Sequence, residues 1–290
     1  MKARKGIILA GGSGTRLYPA TAGLSKQLVP VYDKPMIYYP ITTLMQSGIR
    51  EIAIINRPED AEQFERFLGD GSQWGLSFTY IQQPNPDGLA QAFILSKGFL
   101  DGAPSTLVLG DNIFYGKKFK EHLLEASQET ARTTVFGRSV DKPERFGVLD
   151  FNEQGQVTRI IEKPIKPPSN YAVTGLYFVD ETAPSRAKDI TPSTRGELEI
   201  TDLLESYLND SLLDAVIINS DYIWFDTGTH ENLLEAAIFV KDLQEKQSIL
   251  IGCPEEIALV NGWITQEELE KQIHYLPSNG YGNLLRSIIK

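Results

Sequence analysis

The first part of the chain carries short apolar, strand-like runs at 6–10, 51–56, 77–81 and 106–110. Between them, at 38–46, 60–67 and 89–95, apolar positions recur at helical spacing. Short apolar blocks suit strands covered on both faces, and the intervening period suits helices. Their alternation predicts an α/β fold: a Rossmann-like, mostly parallel central sheet flanked by helices, with ligand sites beyond the carboxyl ends of the strands. From 133 to 180 the pattern changes to strands and turns, at 134–138, 146–151, 157–162 and 172–179. A helical stretch returns at 200–208, and runs at 215–219 and 222–225 predict late strands. The tail beyond His230 reads as mainly helical. Within 231–243, Leu233, Leu234, Ala237, Ile238, Val240 and Leu243 keep close to a 3.6-residue period, which predicts a helix covering the sheet in preference to one kept for self-association.

The first strand block runs into Leu9-Ala10-Gly11-Gly12-Ser13-Gly14-Thr15-Arg16-Leu17, and Lys26 follows ten residues after the arginine. Glycines let backbone amides approach an anion without a side chain in the way, and Arg16 and Lys26 add charge. Leu17 stands where a dinucleotide fingerprint needs its third glycine, and no segment spells the Walker pattern. A triphosphate loop of a third kind remains, or a tight turn after an edge strand. Further on, Asp111 follows the 106–110 strand and Asp226 follows the 222–225 strand, so two distant carboxylates can meet above the sheet.

The glycine loop continues through Pro19, Ser25-Lys26-Gln27-Leu28, Pro30-Val31 and Lys34-Pro35-Met36-Ile37. Later come Gln83-Pro84-Asn85-Pro86-Asp87-Gly88-Leu89-Ala90-Gln91-Ala92, Gly110-Asp111-Asn112, Glu162-Lys163-Pro164 and Trp224-Phe225-Asp226-Thr227-Gly228-Thr229-His230. Over nearly its whole length the chain thereby resembles the sugar nucleotidyltransferases, and among them those that join dTTP to glucose 1-phosphate. The resemblance implies release of pyrophosphate, Mg²⁺ held by Asp111 and Asp226, and catalytic roles for these two with Arg16, Lys26 and Lys163. It implies nucleotide contacts at Leu9, Gly11, Gly12, Gly14, Thr15, Arg16, Gln27, Gln83, Pro86 and Gly88. Sugar contacts are implied at Asn112, Gly147, Glu162, Lys163, Val173 and Tyr177. It further implies a core over 1–228, with its nucleotide-binding part at about 1–130 and its sugar-binding part at about 131–228. A helical extension over 229–290, a homotetramer, and a place at the first step of dTDP-sugar supply for cell-surface polysaccharides, dTDP-rhamnose among them, complete the expectation.

The chemistry such a site performs is attack by a sugar 1-phosphate on the α-phosphorus of a nucleoside triphosphate. A phosphate monoester with a second pKa of about 6 is largely dianionic at neutral pH, so no general base is required. The scarcity of histidine, confined to His122, His230 and His274, is therefore no objection. Catalysis reduces to positioning and charge neutralisation.

A net charge of −10 argues against nucleic acid or an anionic membrane as partner and requires local cations to draw anionic substrates. Arg16, Lys26 and Lys163 are the candidates. The lone Cys253 excludes an intrachain disulfide, and no run approaches the roughly 20 apolar residues of a membrane span. A cytoplasmic location is expected.

A segment from Cys253 to Ala258, then Asn261-Gly262-Trp263-Ile264, is similar to the family segment beside a second, regulatory nucleotide site. Ser220 and Val260 stand where many members carry arginine, so feedback by a dTDP-sugar is expected to be weakened. Rival readings are a metal-dependent glycosyltransferase consuming a nucleotide sugar, a pyrophosphorylase preferring UTP or another sugar phosphate, and a sugar-nucleotide sensor without turnover.

Overall fold

The computed structural model describes residues 2–219, 221–274, 276–277 and 280–289. The chain opens with β1 (Lys5–Ala10), the short hairpin β2 (Pro30–Val31) and β3 (Lys34–Pro35), α1 (Tyr38–Gln46), β4 (Glu51–Asn56), α2 (Ala61–Leu68) and β5 (Ser77–Gln82). There follow α3 (Gln91–Leu95), α4 (Lys97–Leu100), β6 (Ser105–Leu109), β7 (Asn112–Gly116) and α5 (Phe119–Gln128). Next are β8 (Thr133–Ser139), β9 (Gly147–Phe151), β10 (Val157–Glu162), β11 (Tyr171–Val179), α6 (Ala183–Asp189), α7 (Ile200–Asn209), β12 (Leu213–Ile218) and β13 (Tyr222–Asp226). The tail holds α8 (His230–Gln247), α9 (Pro254–Val260), α10 (Gln266–His274) and α11 (Gly280–Ile288).

The main sheet runs β10-β9-β11-β6-β1-β4-β5, with β8 beside β11 and β12 beside β8. It is parallel from β6 through β1 and β4 to β5, and antiparallel where β11 joins β6. Successive side chains of a strand point to opposite faces. Thus Ile8, Ile52 and Ile54 meet Ile41, Leu44 and Met45 of α1 and Phe64 of α2 on one side. Ile7, Ile55 and Leu107 meet Phe93 of α3 and Leu203, Leu204 and Tyr207 of α7 on the other. β1 is therefore a central strand, which removes the edge-strand reading of the glycine turn.

From β1 the chain steps outward to β4 and β5, then returns across to β6 on the other flank of β1. The strand order reverses between β1 and β6. Beyond the carboxyl ends of such a switch point neither loop covers the crevice, which is where α/β sheets take their ligands. The glycine-rich loop leaves β1 there, and Gly110-Asp111 leaves β6.

The runs at 215–219 and 222–225 do form strands, but in different sheets. β12 extends the main sheet beside β8, whereas β13 pairs antiparallel with β7, a strand the apolar pattern did not foresee. β7 starts just after Gly110-Asp111, so its apolar residues merge with those of β6 in a periodicity reading. The tail helix spans more than 231–243 and packs on β2 and β13 instead of on the main sheet, burying Ala236, Val240 and Leu243. Leu234 and Ile238 of the same periodic stripe face outward. Residues Ala258, Leu269, Ile273 and Leu285 of the later helices share one apolar cluster with α1.

Candidate active site

Pairing of β7 with β13 sets Asp226 directly opposite Asn112, the neighbour of Asp111. Thr227 then donates from both its backbone N–H (3.0 Å) and its hydroxyl (2.7 Å) to the Asp111 carbonyl. On the other side, Asn232 of α8 donates to the Asp226 carbonyl at 2.7 Å, and the Thr229 hydroxyl caps that helix by accepting from the Asn232 N–H. The two aspartates are thus fixed by a strand ladder and a helix cap.

Their electrostatics differ. Burial acts to raise the Asp111 carboxyl, but the Lys26 ammonium hydrogen-bonded to Oδ2, together with Asn112 donating to Oδ1 at 2.9 Å, holds it below its ordinary value. Asp226 is pushed up, first by burial and next by the negative charge of Asp111; Lys26, Arg16 and the Gly228 N–H only partly offset this. A cation placed between the two carboxylates would relieve the part of this rise that comes from Asp111. Among the described residues no group of three or more His, Cys, Asp or Glu side chains is placed to hold a metal ion. Two carboxylates suit a hard divalent cation that completes its shell with phosphate oxygens and water.

A cleft of about 470 Å³ joins this pair to the surrounding residues. Leu9, Gly11, Gly12, Arg16, Gln83, Pro86 and Gly88 line its loop side, and Asn112, Gly147, Glu162, Lys163, Val173 and Tyr177 line the other, with Asp111 and Asp226 also on its wall. Arg16 reaches the Asp226 turn, where a Cβ on Gly228 would sit 2.8 Å from its Nη2. Gly14, at φ +66°, turns the backbone into the 3₁₀ segment Thr15–Leu17 that presents Arg16. Gly14, Thr15, Lys26 and Gln27 do not line the cleft. Lys26 reaches it only through Asp111, and Gln27 is buried beneath Gly12 and Gly110.

Asn112 lies on the wall but its amide is engaged. It donates to Asp111, and its carbonyl accepts from the Trp224 indole at 2.6 Å and the Gly175 N–H at 3.2 Å. Glu162, at the end of β10, receives Lys163 and Arg195 on one oxygen at 3.2 Å each, and the Thr201 hydroxyl on the other at 3.4 Å. Lys163 has φ +42°, uncommon for a non-glycine residue and further disfavoured before Pro164. Tyr177 is buried, and its hydroxyl is pushed up by that burial and by the charges of Glu162 and Asp111.

Sequence reasoning missed Arg145, Phe146, Glu197, Ile200 and Trp224 on the cleft wall, and Arg195 behind Glu162. For Trp224 a signal existed, because it is two residues from Asp226 on one strand and so shares its face. His230 sits 3.4 Å from the Tyr18 carbonyl, linking α8 to the loop, while His122 bonds the Tyr222 hydroxyl at 2.9 Å. A second cavity of about 270 Å³ lies between α1, β7 and Leu250, Ile251 and Gly252, with Lys117 and Lys120 on its wall. Val260 is 72% exposed at the end of α9, and Ser220 lies outside the described residues.

A glycine loop bearing Arg16 and a carboxylate pair thus face each other across one cleft at a sheet switch point, where open α/β sheets take their ligands. The family model described as nucleotidyl transferase matches residues 5–243, and the chain belongs to that family. Its relatives include the glucose-1-phosphate thymidylyltransferase of Neisseria meningitidis serogroup A, 54% identical over 286 residues that make up 99% of each chain. The Mycobacterium tuberculosis enzyme of the same name is 46% identical over 286 residues, again 99% of each chain. A crystal structure from Bacillus anthracis, assigned to this activity and solved with sucrose, matches with a TM-score of 0.78 at 40% identity, covering 87% of this chain and 99% of that one.

Proposed function

We propose that this chain condenses dTTP with glucose 1-phosphate to dTDP-glucose and pyrophosphate, the first step toward dTDP-sugars such as dTDP-rhamnose for cell-surface polysaccharides. The observation that carries the reading is one cleft lined by Gly11, Gly12 and Arg16, by the Asp111 and Asp226 pair, and by Glu162 and Lys163. Near-full-length identity to enzymes of that name supports it.

In this reading a non-bridging oxygen of the sugar phosphate forms a bond to the α-phosphorus of dTTP. The bond from that phosphorus to the α,β-bridging oxygen breaks, and its electron pair departs with pyrophosphate. Asp111 and Asp226 hold Mg²⁺, which supplies charge neutralisation and polarisation of the α-phosphate when bound. Lys26 releases Asp111 and carries its charge to the triphosphate. Arg16, whose planar fork fits phosphate oxygens, stabilises the departing pyrophosphate. Lys163 holds the sugar phosphate. Glu162 accepts from sugar hydroxyls, its orientation set by Arg195 and Thr201. Gln83 meets the base, beside the backbone of Pro86 and Gly88.

We further read the molecule as a cytoplasmic homotetramer whose 229–290 extension backs the core. Among the described residues no helix is long and apolar enough to cross a membrane. The test is pyrophosphate release with Mg²⁺ over dTTP and UTP against glucose 1-phosphate and its amino-sugar relatives. Release with dTTP and glucose 1-phosphate that vanishes in Asp111→Asn is the expected result. Preference elsewhere in the grid would rename the substrate, and ligand binding with no release anywhere would leave a sensor.

A further inference from the structure

Gln83, Gln91 and Asp87 form a hydrogen-bonded relay whose direction is fixed at one end. An ionised carboxylate has acceptors and no proton to give. Gln91 must therefore turn its Nε2 toward Asp87, and it donates to Oδ2 at 2.7 Å. Its carbonyl then faces the other way, where it accepts from the Asp87 backbone N–H at 3.3 Å and from Gln83 Nε2 at 2.6 Å. Reversing the Gln83 amide would set two carbonyl oxygens against each other at that 2.6 Å. Reversing Gln91 as well would set its carbonyl against the carboxylate.

The fixed end is also anchored. Asp87 accepts at its carbonyl from the Leu198 N–H at 2.7 Å, and the Ala90 N–H donates to the Leu198 carbonyl at 3.2 Å. Between them Gly88 has φ +109° and lies so close to the Leu198 backbone that no Cβ fits. At the other end Gln83 is 4% exposed, and its Oε1 occupies the space that a Cβ on Gly11 would take. What Gln83 has left for a ligand is that acceptor oxygen and one N–H.

We infer that Asp87 and Gln91 are positioning residues that set the polarity of Gln83 and thereby select a 2,4-pyrimidinedione base over a 4-aminopyrimidine. The inference rests on the nucleotide reading of this cleft given above. Thymine and uracil offer an N3–H donor beside the O4 acceptor, complementary to the Gln83 oxygen and N–H. Cytosine inverts both, with N3 accepting and N4–H donating. Only a reversed Gln83 would match cytosine, and the relay forbids the reversal.

The experiment compares dTTP with dCTP, by kcat/KM and by calorimetric binding, in the full-length enzyme and its variants. In the parent enzyme dTTP is favoured by about a hundredfold or more. Asp87→Asn can donate as well as accept, so the relay can run either way and the ratio falls at least about tenfold. Gln91→Leu cuts the relay and lowers the ratio likewise. In the double variant D87N/Q91E, the carboxylate at 91 accepts from both sides, fixes the polarity again and restores the ratio. A merely structural role would not produce that rescue. Ratios within about twofold of the parent in both Asp87→Asn and Gln91→Leu would overturn the inference while leaving the thymidylyltransferase reading intact. A parent enzyme that neither binds nor turns over dTTP would overturn that reading itself.

Discussion

The Lys26 ammonium is hydrogen-bonded to the Asp111 carboxylate, with 7% of the lysine side chain and 18% of the aspartate exposed. In the absence of ligand the chain's own cation thus compensates one of the two carboxylates proposed to hold the metal. Lys26→Met removes that charge and leaves Asp111 partly buried and unpaired. Activity should fall by about 10²–10³, the usual loss on deleting one charge-stabilising group. Mn²⁺ should also bind the ligand-free variant more tightly than the parent, because it no longer displaces an ammonium. Paramagnetic resonance reads that affinity directly, and equal affinities would remove the competition.

Asp226 carries the opposite burden. Burial and Asp111 raise its carboxyl above the ordinary 3.8, so the folded state favours the protonated form and the ionised form costs stability. That cost is absent below 3.8 and grows as pH rises through the raised value. Asp226→Asn, which can still accept from the Gly228 N–H, should therefore raise the Tm at pH 7. The gain should shrink as pH falls toward 3.8, and product formation should be abolished at every pH. Thermal melts across pH 4–7 check the sign.

Gly11→Ala places a methyl group where Gln83 Oε1 sits. Gln83 must move, so kcat/KM for dTTP should fall at least about tenfold, as for loss of one good base contact. Steady-state kinetics with unchanged thermal stability would assign the loss to the base and not to folding.

Cys253 is buried, and desolvation followed by the charge of Glu255 pushes its thiol up. Little thiolate forms near neutrality. Iodoacetamide at pH 7.5 should leave the native protein unmodified and label it fully in urea, as mass spectrometry will show.

Val260 is apolar and exposed, so the segment beside the second cavity lacks one cation expected of a regulatory nucleotide site. Inhibition by dTDP-rhamnose should be weak, and Val260→Arg should strengthen it. Potent inhibition of the parent, noncompetitive with sugar phosphate, would sink this expectation.

The glycine loop was legible because β1 is covered on both faces, and an uninterrupted apolar block ending in glycines has few other uses. Asp111 and Asp226 were legible as strand ends. That they could meet followed from those ends, but the ladder that fixes the meeting was hidden, since it depends on β7, which only Gly110 and Asp111 separate from β6 in one nearly continuous apolar stretch. The commitment of Lys26 to Asp111 and the relay from Asp87 to Gln83 were also invisible, because both join residues by side-chain direction and not by spacing. Arg195 escaped for the same reason: it lies in an irregular loop where no period exists, and only its approach to Glu162 gives it meaning.

The chain from β8 to β12 is an excursion that leaves at the end of β7 and comes back at the start of β13. Since those two strands are zipped to each other, the excursion is closed at its base by a five-pair ladder, from Tyr222 opposite Gly116 to Asp226 opposite Asn112. Most of the wall opposite the glycine loop, with Glu162, Lys163, Val173 and Tyr177, is carried on it. The excursion is nonetheless built into the core, because β11 pairs with β6 and Leu203, Leu204 and Tyr207 of α7 pack with Ile7 of β1, so only the side chains it turns toward the cleft are free to vary. Substitutions at Val173 and Tyr177 on that wall would therefore alter the shape of the cleft while the β7–β13 ladder keeps Asp226 opposite Asn112.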